Sequence, residues 1–130
     1  MSNKVNKNNI KSKYTIPIPT EREEQIMVIK YLTLKKIPFY AIPNGGSRNV
    51  KEAANMKAEG VSAGVPDICI QLPNKTYHGL YIEMKRQKGG IVSKHQKKWI
   101  EILNNNGYLA KVCCGFNEAK NVIEKYFKEI

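Results

Sequence analysis

The 130-residue sequence predicts an α/β fold in which a mixed four-stranded sheet is flanked by helices. Two observations support this prediction: helix-start signals stand before runs with helical apolar spacing, and short β-rich runs bounded by glycine and proline lie between them. A helix that joins two strands implies a parallel pair, whereas the short connection between strands at 67–72 and 80–85 favours an antiparallel hairpin. We therefore expect both kinds of pairing in one sheet.

Each predicted element has a local reason in the sequence. Residues 1–16 are rich in lysine and asparagine and lack apolar periodicity, so we expect a flexible basic N-terminal arm, followed by one domain over residues 17–130. The first helix starts at Thr20, which forms a capping box with Glu23, and it ends before Pro38. The remaining elements are, in order, a strand at 39–42, a helix at 50–59, strands at 67–72 and 80–85, a helix from Ser93 to Gly107, a strand at 108–114 and a helix from about residue 117.

The sequence is strongly basic, with a formal net charge of +11 that arises from 22 Lys and Arg against 11 Asp and Glu. Such an excess favours a polyanionic partner. Nucleic acid fits better than an anionic membrane, because the basic residues do not lie opposite an apolar helix face. The alternative is a solvated face that only keeps the protein soluble. One basic run contains no carboxylate and comprises Lys85, Arg86, Lys88, Lys94, Lys97 and Lys98.

Composition also excludes several classes of protein. No apolar stretch approaches the length of a membrane span, and the N-terminus lacks a hydrophobic signal segment, so we expect an intracellular protein without a membrane partner. The three cysteines, two of them adjacent, fit neither a disulfide framework nor a CxxC metal site.

Three residues stand where a metal-dependent phosphodiester-cleaving site needs them. Asp67 precedes an apolar run, and Glu83 and Lys85 lie two residues apart in a strand, which puts both side chains on one face. If the hairpin is centred near Thr76, Asp67 lies opposite Lys85 and Cys69 lies opposite Glu83. Carboxylate oxygens suit a hard cation such as Mg²⁺, and an ammonium group suits the charge that develops on a phosphate. The alternative is an exposed cross-strand charge stripe without chemistry.

The order of elements, with an acid on the second strand and Glu-x-Lys on the third, resembles the PD-(D/E)xK nuclease core. More specifically, the stretch from Thr20 to about Tyr126 resembles the stand-alone VRR-NUC (virus-type replication-repair nuclease) domains of phages and bacteria. The motifs that carry the resemblance are Glu21 with Gln25, Pro43-Asn44-Gly45-Gly46, the segment from Lys57 to Asp67, Ile82-Glu83-Met84-Lys85, Ser93 with Gln96 and Trp99, and Gly107-Tyr108.

The resemblance implies a role for each residue of the site. Asp67, Glu83 and an acid on the first helix would hold Mg²⁺ or Mn²⁺. The carbonyl of Met84 would supply a further oxygen ligand, and Lys85 would orient or activate the attacking water.

Two of the implied roles have alternatives in the sequence. Glu21 stands four residues before Gln25, the spacing associated with the family, but Glu24 lies one turn away and can serve instead. An acid at position 21 also favours the positive end of the helix dipole, with no catalytic role. Gln96 can belong to the catalytic group, or it can only complete a capping box with Ser93.

The predicted contacts to nucleic acid fall into two groups. The turn at 43–49 can bring backbone amides close to a phosphate, or it can simply be a tight turn. The basic run beyond the site supplies the second group. The residues concerned are Asn44, Gly45, Gly46, Arg48, Arg86, Lys88, Lys94, Lys97 and Lys98.

The function that the resemblance implies is a divalent-metal-dependent DNA endonuclease, selective for branched DNA such as Holliday junctions and acting as a homodimer. The alternatives are a non-catalytic nucleic-acid-binding module and a nuclease that acts on RNA or unbranched DNA. The predicted subunit contacts are aromatic and apolar residues that can instead cover the monomer's own sheet. These residues are Phe39, Tyr40, Tyr126, Phe127 and Ile130.

Overall fold

A computed structural model of the chain describes residues 16–43 and 49–129. Most of the predicted N-terminal arm, the predicted DNA contacts Asn44, Gly45, Gly46 and Arg48, and the predicted subunit contact Ile130 lie outside these ranges. The described elements are α1 (Glu21–Leu34), β1 (Tyr40–Ala41), α2 (Val50–Ala58), β2 (Ile68–Ile70), β3 (Leu80–Lys85), α3 (Lys94–Asn105), β4 (Leu109–Cys114) and α4 (Phe116–Lys128).

The four strands form one mixed sheet in the order β1-β2-β3-β4. β2 pairs antiparallel with both β1 and β3, and β3 pairs parallel with β4 through the crossover helix α3. The predicted fold class is therefore confirmed. Within the described ranges, no helix is both long enough and apolar enough to cross a membrane.

Both predicted N-cap residues cap their helices, but the complete capping box forms only at α3, whereas in α1 the Glu23 carboxylate accepts from the Thr20 hydroxyl at 3.2 Å. The hydroxyl of Thr20 accepts a hydrogen bond from the backbone N–H of Glu23 at 3.2 Å. At the start of α3 both halves of the capping box are present: the hydroxyl of Ser93 accepts from the backbone N–H of Gln96 at 3.2 Å, and the side chain of Gln96 accepts from the backbone N–H of Ser93 at 2.8 Å. These bonds satisfy N–H groups that a helix leaves without an internal partner.

The hydrophobic core lies on one face of the sheet, where α1 and α4 cover it. Alternate strand residues point into this core, and full burial of each large aliphatic side chain contributes about 1.5–3 kcal/mol. The opposite face is left for polar groups, and α3 packs there against β4. The core residues are Val28, Leu32, Ile68, Ile70, Leu80, Ile82, Met84, Cys113, Ala119, Ile123 and Tyr126.

Three of the aromatic residues predicted at a subunit contact pack on the monomer's own core. Tyr126 is only 2% exposed, and its hydroxyl donates a hydrogen bond to the carbonyl of Leu72 at 2.7 Å. Phe39 and Phe127 pack against the same core. Tyr40 differs from these three, because it is 50% exposed and lies on the edge strand β1.

The hairpin of β2 and β3 forms as predicted, but its register differs by two residues. Ile68 pairs with Ile82 and Cys69 pairs with Tyr81, which places Asp67 beside Glu83 instead of opposite Lys85. The prediction assumed a chain reversal centred at Thr76. Instead, the side chain of Asn74 accepts hydrogen bonds from the backbone N–H groups of Thr76 and Tyr77 and sets the reversal earlier. A shift of two residues keeps every side chain on its predicted face.

A buried acid, Glu24, joins three separate parts of the fold. Its side chain is 2% exposed, and it accepts hydrogen bonds from the Gln87 side chain at 2.7 Å and from the backbone N–H of Phe116 at 3.0 Å. Gly115, the N-cap residue of α4, provides no side-chain cap of its own. The carboxylate of α1 thus caps α4 and also fixes the segment that follows β3.

This contact requires glycine at position 115. The backbone of Gly115 has φ 94° and ψ 168°, a conformation that is almost restricted to glycine, and an added Cβ would lie 2.4 Å from Glu24 Oε2.

We predict that Gly115→Ala lowers the free energy of unfolding by about 2–4 kcal/mol, because the substitution adds backbone strain and displaces the Glu24 carboxylate. Gly89→Ala is the matched control, since Gly89 also has a positive φ of 79° but no atom lies within 4 Å of its added Cβ. The control should lose only about 1 kcal/mol. Urea unfolding of both variants checks this, and equal losses would contradict the role assigned to the Glu24 contact.

Candidate active site

The candidate active site lies on the sheet face opposite the core. Asp67 directly precedes β2, Glu83 and Lys85 lie on β3, and Gln96 lies in the first turn of α3. The three charged residues are nearly buried, with exposed fractions of 8% for Asp67, 1% for Glu83 and 8% for Lys85. An exposed charge stripe is thereby excluded, because charged groups are seldom buried without a specific reason.

Each carboxylate of the site accepts a hydrogen bond at one of its two oxygens, and Lys85 pairs with Glu83. The backbone N–H of Met84 donates to Asp67 Oδ2 at 2.8 Å, and the Gln96 side-chain amide donates to Glu83 Oε1 at 2.9 Å. Lys85 Nζ lies 3.7 Å from the same Oε1 atom. Gln96 therefore makes two contacts at once, because its amide oxygen completes the capping box of α3 while its amide nitrogen donates to Glu83.

The second carboxylate oxygen of Glu83 is the exception. Oε2 is buried and has no hydrogen-bond partner among the described residues. Burial, together with the nearby charge of Asp67, raises the pKa of Glu83 to about 8, although Lys85 partly opposes this. Burial also raises the pKa of Asp67, although the hydrogen bond from the N–H of Met84 acts in the opposite direction. Two carboxylates in one buried space favour a shared proton or a cation between them.

The backbone of Met84 lies beside the Asp67 carboxylate. Continuing the β2–β3 register places Met84 opposite Pro66, which has no N–H to donate. The N–H of Met84 donates instead to the Asp67 side chain. The carbonyl of Met84 receives no ladder hydrogen bond from position 66, because proline has no N–H.

The described residues contain no cluster of three or more His, Cys, Asp and Glu side chains placed to hold a metal ion. The groups at the site fit a hard divalent cation nonetheless, because Mg²⁺ keeps several waters and needs only one or two carboxylates from the protein. A partnerless buried carboxylate oxygen is the group that such a cation would satisfy.

The two acids proposed for α1 occupy different surroundings. Glu21 is half-buried, and its charge makes a small contribution to the raised pKa of Glu83. Both carboxylate oxygens of Glu24 are bonded, to the Gln87 side chain and to the backbone N–H of Phe116. Glu24 therefore has a structural role, and Glu21 remains the acid of this helix that we propose for the site.

The segment before Asp67 is held against the start of α3. Gly64 has φ 88°, and an added Cβ would lie 2.5 Å from the backbone carbon of His95 and 2.7 Å from the backbone nitrogen of Gln96. This close approach, which only glycine permits, brings the chain into β2 beside the helix that carries Gln96.

The predicted basic contacts stand on the surface near the site. Lys98 lies on α3 and lines a groove of about 800 Å³ between α2 and α3, together with Lys57, His95 and Trp99. Neither Asp67 nor Glu83 lines this groove. Exposed basic side chains remain available to phosphates, and these are Arg86, Lys88, Lys94, Lys97 and Lys98.

Sequence reasoning missed a row of aromatic residues on the same face as the carboxylates. The strand register aligns Tyr40, Cys69 and Tyr81 across β1, β2 and β3. The Tyr81 ring packs edge-to-face against Tyr108 at 5.6 Å, and Tyr108 packs in the same way against His78 at 5.6 Å. The signal was present, because Tyr81 stands two residues before Glu83 and so shares its side of the strand.

A mixed sheet that holds Asp67, Glu83 and Lys85 on one face defines a PD-(D/E)xK nuclease-like fold. The family model of the VRR-NUC domain matches residues 9–117. The chain therefore belongs to the VRR-NUC family, a family of nuclease domains that generally use divalent metals.

Known structures support the same assignment. The solved structure of a VRR_NUC domain protein superposes with a TM-score of 0.76 at 31% sequence identity, and the match covers 88% of this chain and 93% of that chain. No functionally curated protein matches the chain in sequence.

The raised pKa of Glu83 predicts how the metal-free protein responds to pH. In the unfolded chain Glu83 titrates near 4.5, whereas in the folded protein its pKa is about 8. Between these values the folded state holds a proton that the unfolded state has released, so the free energy of unfolding falls as pH rises through this window.

Glu83→Gln should remove this dependence. In EDTA, we expect the variant to exceed the wild type in stability by roughly 2–4 kcal/mol at alkaline pH and by little at pH values near the ordinary pKa of glutamate. Urea unfolding at several pH values measures the difference. A stability gap that does not change with pH would contradict this reading of Glu83.

Proposed function

We propose that the protein is a divalent-metal-dependent DNA endonuclease, selective for branched DNA. The observation that carries the proposal is the buried Glu83 Oε2 atom, which has no partner among the described residues and lies in the same site as Asp67 and Lys85. A module that only binds nucleic acid gains nothing from buried acids, because acids beside a phosphate weaken the attraction.

In this proposal Asp67 and Glu83 hold Mg²⁺ or Mn²⁺, with the Met84 carbonyl as a further ligand and Glu21 as a direct or water-mediated one. When bound, the cation supplies stabilisation of the negative charge that develops on the scissile phosphate. The ammonium group of Lys85 orients the attacking water and faces the same developing charge. Gln96 keeps Glu83 in place through its amide, and its own orientation is fixed by the capping box.

The basic surface supplies binding that is separate from the chemistry. Exposed lysine and arginine side chains near the site neutralise phosphates, which accounts for most of the affinity of a protein for DNA without selecting a cleavage position. The net charge of +11 supports this assignment. The turn that the sequence predicts at 43–49, most of which lies outside the described ranges, would add backbone contacts to phosphate in the same proposal.

The first test compares cleavage of junction, flap and linear DNA and of RNA, each with Mg²⁺, with Mn²⁺ and in EDTA. We predict that Asp67→Asn and Lys85→Met lower the cleavage rate by at least about 10²-fold, because each removes a group that acts on the reacting phosphate. Affinity for the same DNA in EDTA should change only a few-fold.

Both substitutions preserve the shape of the side chain, and asparagine can still accept from the N–H of Met84. Lys98→Met is the matched control, because Lys98 is an exposed lysine of the same basic surface. This control should weaken binding slightly and leave the cleavage rate of bound DNA intact. Undiminished cutting by Asp67→Asn or Lys85→Met would remove that residue from the mechanism.

A second prediction separates the two acids of α1. Glu21→Gln should lower cleavage and raise the metal concentration needed for half-maximal activity, with little loss of stability, since Glu21 is only half-buried. Glu24→Gln should instead lower the free energy of unfolding, by about 1–3 kcal/mol, because the buried charge caps α4. Metal titrations and urea unfolding on both variants test this assignment. The reverse pattern would make Glu24 the catalytic acid.

The branch preference leads to a prediction about assembly. The described residues form one candidate site, and symmetrical cutting of a four-way junction needs two sites, which a twofold homodimer supplies. We predict a dimer in light scattering at micromolar concentration. On a plasmid with an extruded cruciform, coordinated cuts should yield linear DNA directly, and a relaxed plasmid without the cruciform is the control.

A monomeric protein that first produces nicked circles would contradict the junction-resolving function. It would leave a flap-directed endonuclease, or the alternative from the sequence of a nuclease that acts on unbranched DNA or RNA.

A further inference from the structure

An aromatic row beside the carboxylates has no role in the proposed chemistry. We define the row as Tyr40, Tyr81, Tyr108 and His78. Tyr40 and Tyr81 flank Cys69 across the sheet, and Tyr81, Tyr108 and His78 follow one another through edge-to-face contacts with centroid distances of 5.6 Å. The row lies on the polar face of the sheet, so it is not part of the core beneath α1 and α4.

The row lies two residues along the strands from the proposed cleavage site. Tyr81 precedes Glu83 by two residues on β3, and Cys69 follows Asp67 by two residues on β2. Two residues along a strand span about 6.5–7 Å, which is close to two base-stacking steps of about 3.4 Å. A strand whose phosphate lies at the carboxylates can therefore place a base one or two nucleotides away on the row.

The rings of the row are held in place before any ligand arrives. Tyr40 and Tyr81 are the ladder partners of Cys69 on its two sides, so strand pairing fixes where these two side chains stand. At the other end, the backbone of Gly79 approaches the Tyr108 ring, and that of Gly107 approaches His78. Fixed rings lose little conformational freedom when a ligand stacks on them.

The outer end of the row is accessible. Tyr40 is 50% exposed, in contrast to the nearly buried Cys69 beside it. Among the described elements, no helix makes backbone contact with β1 or β2, whereas α3 covers β4 on this face. A half-exposed aromatic ring on an edge strand is a surface that a nucleobase can cover.

We propose that the aromatic row is a base-stacking subsite, with Tyr40 as its outer platform, that binds an unpaired base within two nucleotides of the scissile phosphate. In duplex DNA both faces of each base are covered by neighbouring bases, so only an unpaired or splayed nucleotide offers a free face. The position of the base relative to the cut rests on the proposed nuclease function, but the stacking itself does not.

The test measures binding in EDTA, without cleavage. The probes are a short oligothymidine strand and the same strand with tetrahydrofuran abasic residues in place of its internal thymidines. Stacking of one base changes affinity by about fivefold or more. We expect the wild type to prefer the strand with bases by at least that factor, and Tyr40→Leu to lose most of this preference while it binds the abasic strand like the wild type.

Two matched variants make the result specific. Tyr40→Phe keeps the ring and should keep the preference, whereas Tyr40→Leu keeps the apolar bulk without the ring. The proposal is overturned if Tyr40→Leu retains the preference, or if it weakens binding to both strands equally. A change in molar mass of Tyr40→Leu in light scattering would also overturn it, since Tyr40 would then belong to a subunit interface.

A second measurement needs no substitution. A strand with 2-aminopurine in place of one base should lose fluorescence when it stacks on the wild-type protein, and an unchanged signal on binding at every position would refute the subsite.

The nuclease function and the base-stacking subsite can be rejected independently of each other. Absence of cleavage with any metal, together with an intact base preference, would reject only the nuclease function, whereas normal cleavage without a base preference would reject only the subsite.

Discussion

The placement of Asp67 and Glu83 side by side in a nearly buried space is the constraint on which the rest of the site depends. Two carboxylates at low dielectric repel each other and lose hydration, so each needs compensation. The N–H of Met84, the amide of Gln96 and the ammonium group of Lys85 supply part of it. Glu83 Oε2 receives no such hydrogen bond from the described residues. The hydrophobic core on the opposite face stabilises the fold and so keeps the two carboxylates close together despite their repulsion.

The two buried glutamates differ in how completely the protein compensates their burial. Glu24 and Glu83 are equally inaccessible, at 2% and 1% exposure. Both oxygens of Glu24 accept a hydrogen bond, one from Gln87 and one from Phe116, so its burial is balanced within the protein. Glu83 has a like charge beside it and one oxygen without a donor among the described residues. Burial alone therefore does not distinguish Glu83 from Glu24, whereas incomplete compensation makes Glu83 the candidate site residue.

How much the sequence could predict depended on the range of the interactions. Alternation along a strand is local, so the shared face of Asp67, Glu83 and Lys85 was predicted correctly. The register was missed by two residues because it depends on the turn at Asn74, whose side-chain bonds the residue pattern does not reveal. The choice between Glu21 and Glu24 rests on a contact with Phe116, which is 92 residues from Glu24. Such long-range contacts leave no periodic signal in one sequence.

The topology explains why these groups meet at one end of β3. The crossover from β3 to β4 returns through α3, and the first turn of this helix lies where β3 ends, close enough for Gln96 to reach Glu83. The positive end of the α3 dipole thus lies beside an anionic site and on the side that a phosphate would approach. On the same strand, even-numbered residues fill the core and odd-numbered residues carry Tyr81, Glu83 and Lys85. One six-residue strand therefore joins the aromatic row, the carboxylate pair and the lysine in a straight line, with spacings that the pleat fixes.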